Sequence, residues 1–268
     1  MNQALVTLEI QQGIAMVGLN RVDKYNALSF EMFTSIKKTI KKISQRRDVN
    51  AVVLFGHGDN FCSGLDVKSV MSSASQAVKL LFKWLPGNAN LAQQVSIGWR
   101  RLPVPVICAI DGICYGGGMQ IALGCDFRIA SPNSRLSIME AKWGLVPDMA
   151  GLVGLRELVG KDQAMLMTMT AEIYSGDEAK ALGLVTLVDD KPLEAAQQLA
   201  TKLIQTSPDA NAAIKHSINR NWTTSIRRLL SRESRFQIGL LAGKNRVVAA
   251  KRQGKHPDKA YLSRQSWW

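Results

Sequence analysis

Residues Asp111-Gly112-Ile113-Cys114-Tyr115-Gly116-Gly117-Gly118-Met119-Gln120 lead from one apolar run, Val104 to Ile110, into another that continues to Asp126. Three consecutive glycines are costly inside any regular element and mark backbone that bends sharply or lets another group come close. At a helix start, free N–H groups and the positive end of the helix dipole suit an anion or a developing oxyanion. No Gly-Lys-Ser/Thr follows and the G-x-G-x-x-G spacing is absent, so the stretch is neither a phosphate loop nor a dinucleotide fingerprint. Taken alone it reads equally well as a tight turn without chemistry. A second turn, Phe61-Cys62-Ser63-Gly64-Leu65-Asp66, also follows a strand-like run and strengthens the functional reading.

The elements that position these turns follow from periodicity. Val6, Leu8 and Ile10 alternate with Thr7 and Glu9, and Gln11-Gln12-Gly13 turns this strand into a second, Ile14 to Leu19. After a loop from Arg21 to Leu28, Ser29 can cap a helix whose apolar positions are Phe33, Ile36, Ile40 and Ile43. Ala51 to Phe55 is a continuous apolar run, as in a strand covered on both faces. Residues 67–98 are irregular; Leu80, Leu81, Phe82, Trp84 and Leu85 suit either a wall over an acyl chain or ordinary helix packing. Short strands are predicted at 126–130 and 135–138, a last strand at 184–188, and helices near 192–206, 208–220 and 223–242. The strand, loop, helix, strand rhythm is that of an α/β protein with a parallel sheet.

The 268 residues suit a single domain or one with a helical extension. An apolar share of 46% and a charged share of 21% are those of a globular protein without a membrane-spanning run, and a cytoplasmic location is expected. Cys62, Cys108, Cys114 and Cys125 lack C-x-x-C spacing, and His57, His216 and His256 are scattered, so neither metal nor Cys/His chemistry is indicated. The net charge is +13, and thirteen Lys and Arg stand against two acids between residues 215 and 264. Such a rim attracts phosphates. Lys37, Lys38, Lys41, Lys42, Arg46 and Arg47 form a second cluster on the first helix.

Four segments in order resemble the crotonase family, the enoyl-CoA hydratases and isomerases. They are Leu19 to Leu28, Phe61 to Asp66, Pro103 to Gly118 and Ser175 to Val185. The resemblance implies a spiral of β-β-α units over residues 1–190. A C-terminal helical region, 191–268, is implied to make oligomer contacts in a homotrimer or a dimer of trimers. It also implies an acyl-CoA substrate, with coenzyme A arriving as part of that substrate and no separate cofactor. The backbone N–H groups of Leu65 and Gly117 are then the oxyanion donors, and Lys24, Ala27, Leu28, Asp66 and Gly116 lie at coenzyme A or substrate.

Enolate chemistry on a thioester needs such a donor pair and a positioned carboxylate to move the proton. The family's two hydratase glutamates correspond to Gln120 and Glu140. An amide exchanges no proton near pH 7, so Gln120 orients rather than catalyses. Asp148 stands where the dienoyl-CoA isomerase branch carries an acid. With Glu140 as base and Asp148 as second acid or base, double-bond migration is the expected reaction. The alternatives are a hydratase working through Glu140 alone, a homologue that binds RNA through the lysine-rich first helix, and one whose chemistry has degraded. Whether Trp267 and Trp268 pack or trail is left open at this stage.

Overall fold

The computed structural model describes residues 4–71, 74–254 and 256–267. It opens with an antiparallel hairpin, β1 (Val6–Gln11) and β2 (Ile14–Leu19), turned by Gln12 and Gly13 at positive φ. Ser29 caps α1 (Phe30–Ser44), its hydroxyl accepting the Met32 N–H at 3.3 Å. Met32, Phe33, Ile36 and Ile43 of α1 are buried, and Lys37, Lys38, Lys41 and Lys42 stay exposed. Then come β3 (Ala51–Gly56) and the helices α2 (Val67–Met71), α3 (Ala74–Leu81) and α4 (Leu91–Arg101). β4 (Val106–Ile110), β5 (Ile113–Tyr115), α5 (Gly117–Leu123), β6 (Phe127–Ala130) and β7 (Arg135–Ser137) follow. The rest is α6 (Gly151–Leu158), α7 (Lys161–Thr170), α8 (Gly176–Ala181), β8 (Leu187–Val188), α9 (Pro192–Ile204), α10 (Pro208–Asn221), α11 (Ile226–Ala242) and α12 (Lys244–Arg252).

The large sheet runs β1-β2-β3-β4-β6-β8, parallel from β2 onward. Parallel neighbours require a crossover, and here each crossover also contributes to a second layer. β5 pairs with β7, and single bridges join Leu28 to Leu65, Cys62 to Cys114, and Leu136 to Tyr174. Every turn of chain thus gives one strand to the large sheet, one short extended segment to the second layer, and a helix. This is the β-β-α spiral of an α/β fold. Both faces of β3 and β4 are covered: Val52 and Leu54 pack into the main core, while Val53 and Ile107 meet Ala196 and Ala200 of α9. That double covering explains why these strands are apolar without alternation.

The structure departs from the sequence reading in places. β5 was expected as a plain turn, but three residues of strand stand between β4 and the glycines. The last strand is only Leu187–Val188, and α12 was not foreseen. Within 67–98, α4 is fixed by a capping box in which Asn90 and Gln93 exchange hydrogen bonds. Leu80 of α3 is buried in the main core, as ordinary helix packing requires, while Leu81, Phe82, Trp84 and Leu85 are exposed. Trp267 lies against α11, where a Cβ on Gly239 would fall 2.2 Å from its ring; Trp268 is outside the described residues. All four cysteines are buried thiols.

Asn26 ties the opening loop to the turn after β3. It is fully buried at φ +55°, its Oδ1 accepts the Arg21 N–H at 2.8 Å, and its Nδ2 donates to the carbonyls of His57 (3.0 Å) and Asn60 (2.7 Å). Asn26→Ala strands one donor and two acceptors and puts alanine in the left-handed region. A loss of about 3 kcal/mol in urea denaturation is expected; an unchanged midpoint would show that the two loops hold each other without it.

Candidate active site

The glycine turn is shaped backbone by backbone. Gly116 takes φ +49° and ψ −115°, a conformation closed to residues with a Cβ. Its N–H donates to the Ser137 carbonyl at 2.9 Å and its carbonyl accepts from the Gln120 N–H, so both polar groups are engaged. Gly116, expected at the substrate, therefore acts through its conformation. Gly117 follows as the first residue of α5, with Leu28 and Met149 against it; an added Cβ would fall 2.9 Å from Leu28 Cδ1 and 3.0 Å from Met149 Sδ. A Cβ on Gly118 would strike the Cys62 carbonyl at 2.6 Å. The three glycines thus answer to three separate close approaches.

The second turn meets the first. Gly64, at φ +93°, sits where its missing Cβ would be 3.5 Å from the Gly117 nitrogen and 2.9 Å from the Tyr115 carbonyl oxygen. The bridge between Cys62 and Cys114 sets this approach. Neither the Leu65 N–H nor the Gly117 N–H has a hydrogen-bond partner among the described residues. Two unsatisfied amide donors on adjoining turns are rare in a folded protein and suit an incoming oxygen.

Gln120 is fully buried on α5. Its Oε1 accepts the N–H groups of Met149 (2.8 Å) and Gly151 (3.1 Å), and its Nε2 donates to Glu140 Oε1 at 2.5 Å. These bonds settle which end of the amide is which. Glu140 begins a 3-10 turn, Glu140–Trp143, and its second oxygen, Oε2, is buried with no partner. Burial raises the Glu140 pKa above the usual carboxylate value, and the charge of Asp148 pushes it further the same way, while the Gln120 bond opposes. Asp148 is an exposed residue, and desolvation by its surroundings raises it too. The loop therefore brings Glu140, Gln120 and Asp148 together.

The expected carrier-binding residues divide. Lys24, Ala27, Leu65 and Asp66 line one open groove of about 730 Å³, together with Tyr25, Lys68 and Trp143. Leu28 is fully buried and both its backbone groups are used, its N–H by Gly64 and its carbonyl by Asp66, so it supports Gly117 instead of offering backbone to a ligand. The Asp66 carboxylate is held by Arg21 at 2.8 Å and caps α2 through the Ser69 N–H at 3.1 Å. That pairing holds its carboxyl below the usual range. Arg21 and Met149 were missed by the sequence reading; an Asn-Arg in the opening loop facing an Asp after a glycine was the only available signal for the first. Among the described residues, no group of three His, Cys, Asp or Glu is placed to hold a metal ion.

The described helices include none long and apolar enough to cross a membrane. The sequence profile of the enoyl-CoA hydratase/isomerase family matches residues 9–246. The chain is similar to the peroxisomal Delta(3,5)-Delta(2,4)-dienoyl-CoA isomerase of Arabidopsis thaliana, 35% identical over 63% of each chain. It is also similar to the short-chain-enoyl-CoA hydratase of Clostridium acetobutylicum, 33% identical over 85% of this chain and 86% of that one. The solved enoyl-CoA hydratase of Bacillus anthracis superposes with a TM-score of 0.85 at 25% identity, covering 97% of this chain and 99% of the other. By profile, by relatives and by fold, the chain belongs to the enoyl-CoA hydratase/isomerase family.

Proposed function

We propose that this protein moves a double bond along an unsaturated acyl-CoA thioester. The thioester oxygen sits between the Leu65 and Gly117 amides, Glu140 takes the proton from one carbon, protonated Asp148 gives its own at another, and the two carboxyls then exchange protons with solvent to reset. The observation that carries the reading is the unpartnered buried oxygen of Glu140, held by Gln120, which also binds the N–H of Met149 next to Asp148. Carboxylates in unlike environments separate into one base and one acid. Removing an oxyanion donor typically costs ~3 to 4 kcal/mol of barrier, and a positioned acid or base contributes roughly 10²- to 10⁴-fold. The cations of Lys24 and Lys68 in the groove suit the phosphates of the carrier.

A second reading, hydration with Glu140 activating water, is supported by the solvent exposure of Asp148. Exposed Ile226, Leu230, Ile238 and Leu241 on α11, a helix without a buried residue, support contacts with further copies of the chain through the C-terminal helices.

Turnover of 2-enoyl, 3-enoyl and 3,5-dienoyl-CoA separates the two readings. Glu140→Gln is expected to lower turnover by roughly 10²-fold or more, and Asp148→Asn to do the same for double-bond migration with binding retained. Prompt formation of a 3-hydroxyacyl thioester, unaffected by Asp148→Asn, would establish the hydratase instead.

The carboxylate also leaves a mark on stability. Because the folded state raises the Glu140 pKa above its ordinary 4.5, the folded protein binds more protons than the unfolded chain above that pH. Stability therefore falls as pH rises from 4.5 through the raised value, and the full penalty is present beyond it. Calorimetry of Glu140→Gln should give a Tm above wild type at pH 7, converging on wild type below pH 4.5. A variant no more stable at pH 7 would show that Glu140 is not destabilised by burial.

A further inference from the structure

A second cavity, of about 310 Å³, opens at the other end of β4 from the glycine turn, beside Pro105, Asp126 and Phe127. Its walls are largely apolar, with Leu123 and Leu158 inside and Ile214 and Ile218 of α10 and its C-cap residue Trp222 at the mouth. These last three follow one another at intervals of four residues and are each at least half exposed. Two of the charged groups in the lining are neutralised locally. Lys215 reaches Asp126 at 2.7 Å and also donates to the carbonyls of Trp99 and Val104, and Arg100 reaches Glu157 at 2.8 Å.

Arg128 is different. It lines the same cavity, is only 2% exposed, and forms no ion pair among the described residues, although the charge of Asp126, already paired with Lys215, is felt there. Nε donates to the Leu184 carbonyl at 2.7 Å, and Nη1 to the carbonyls of Ala122 (3.2 Å) and Cys125 (2.8 Å). Nη2 donates to nothing among the described residues, and it is not one of the buried polar atoms sealed from solvent. A guanidinium is always charged, and taking one out of water without a counter-ion costs several kcal/mol. Three carbonyls offset part of that cost, and an anion on Nη2 would complete it.

We propose that this cavity binds a small amphipathic anion, a monocarboxylate with an alkyl tail of roughly eight carbons, which suits a pocket of this size. The carboxylate accepts from Arg128 Nη2, and the tail lies along Leu158, Ile214 and Ile218. The site shares no residue with the Leu65, Gly117 and Glu140 cluster and does not depend on the reaction carried out there.

Isothermal titration of the full-length protein with octanoate, octanol and octylamine tests this. Octanoate is expected to bind once per chain, ~10-fold or more tighter than octanol, because hydrogen bonds to charged groups are the stronger ones. Octylamine is expected to show no binding. Ile218→Glu, at a half-exposed position, sets a second negative charge at the mouth and should weaken octanoate by ~10-fold with Tm unchanged; Ile214→Glu serves if that variant fails to fold. Equal affinity for octanoate and octanol, absence of saturable octanoate binding, or wild-type affinity in the glutamate variant would each overturn the proposal.

Discussion

The site hangs on one buried amide. Two backbone N–H groups, of Met149 and Gly151, point at the buried Gln120 side chain, and one oxygen of Glu140 needs a donor. Only a side chain with a carbonyl at one end and an NH₂ at the other answers both demands, and Gln120 does so from a fully buried position. A carboxylate there would satisfy the two N–H groups but confront Glu140 acceptor to acceptor unless one of the pair held a proton. The glutamine is thus a positioning residue that joins α5 to the loop before α6 and holds Glu140 by one oxygen, leaving the other unpartnered.

The spiral supplies what the glutamine cannot. Leu65 and Gly117 are far apart in sequence, and their amides come together because successive turns of chain lay Cys62 beside Cys114 in the second layer. Glycine is required on both sides of that meeting, at Gly64 for positive φ and at Gly117 to leave room for Leu28 and Met149. Asn26, Arg21 and Asp66 then brace the outer loops against this seam. Each of these polar groups is spent on structure, which is why the two unpaired amides stand out.

Much of this was legible in the sequence where the signal was local. The alternation in Val6 to Ile10, the serine before α1 and the unbroken apolar runs of β3 and β4 each translate directly into an element. So did the capping box of Asn90 and Gln93, which was there to be read and was passed over. β5 was not legible, because three residues flanked by glycines carry too little periodicity and owe their extension to β7. The same holds for Leu28 and Asp66: their positions in the opening and second turns were right, but which backbone groups were already engaged depends on partners about 40 residues away. Long-range hydrogen bonding decides whether a loop residue serves the ligand or the loop.

The two carboxylates show the same division between position and state. Spacing alone places Glu140 and Asp148 eight residues apart and says nothing of their protonation. The fold leaves Glu140 half-buried against Gln120 and Asp148 exposed, and desolvation raises both. Asp148 also raises Glu140 through its charge, so the state of the buried carboxyl depends on that of its neighbour. If Glu140 is the base, Asp148 must carry the proton that is given at the second carbon, and the desolvation that raises its pKa favours that protonated form.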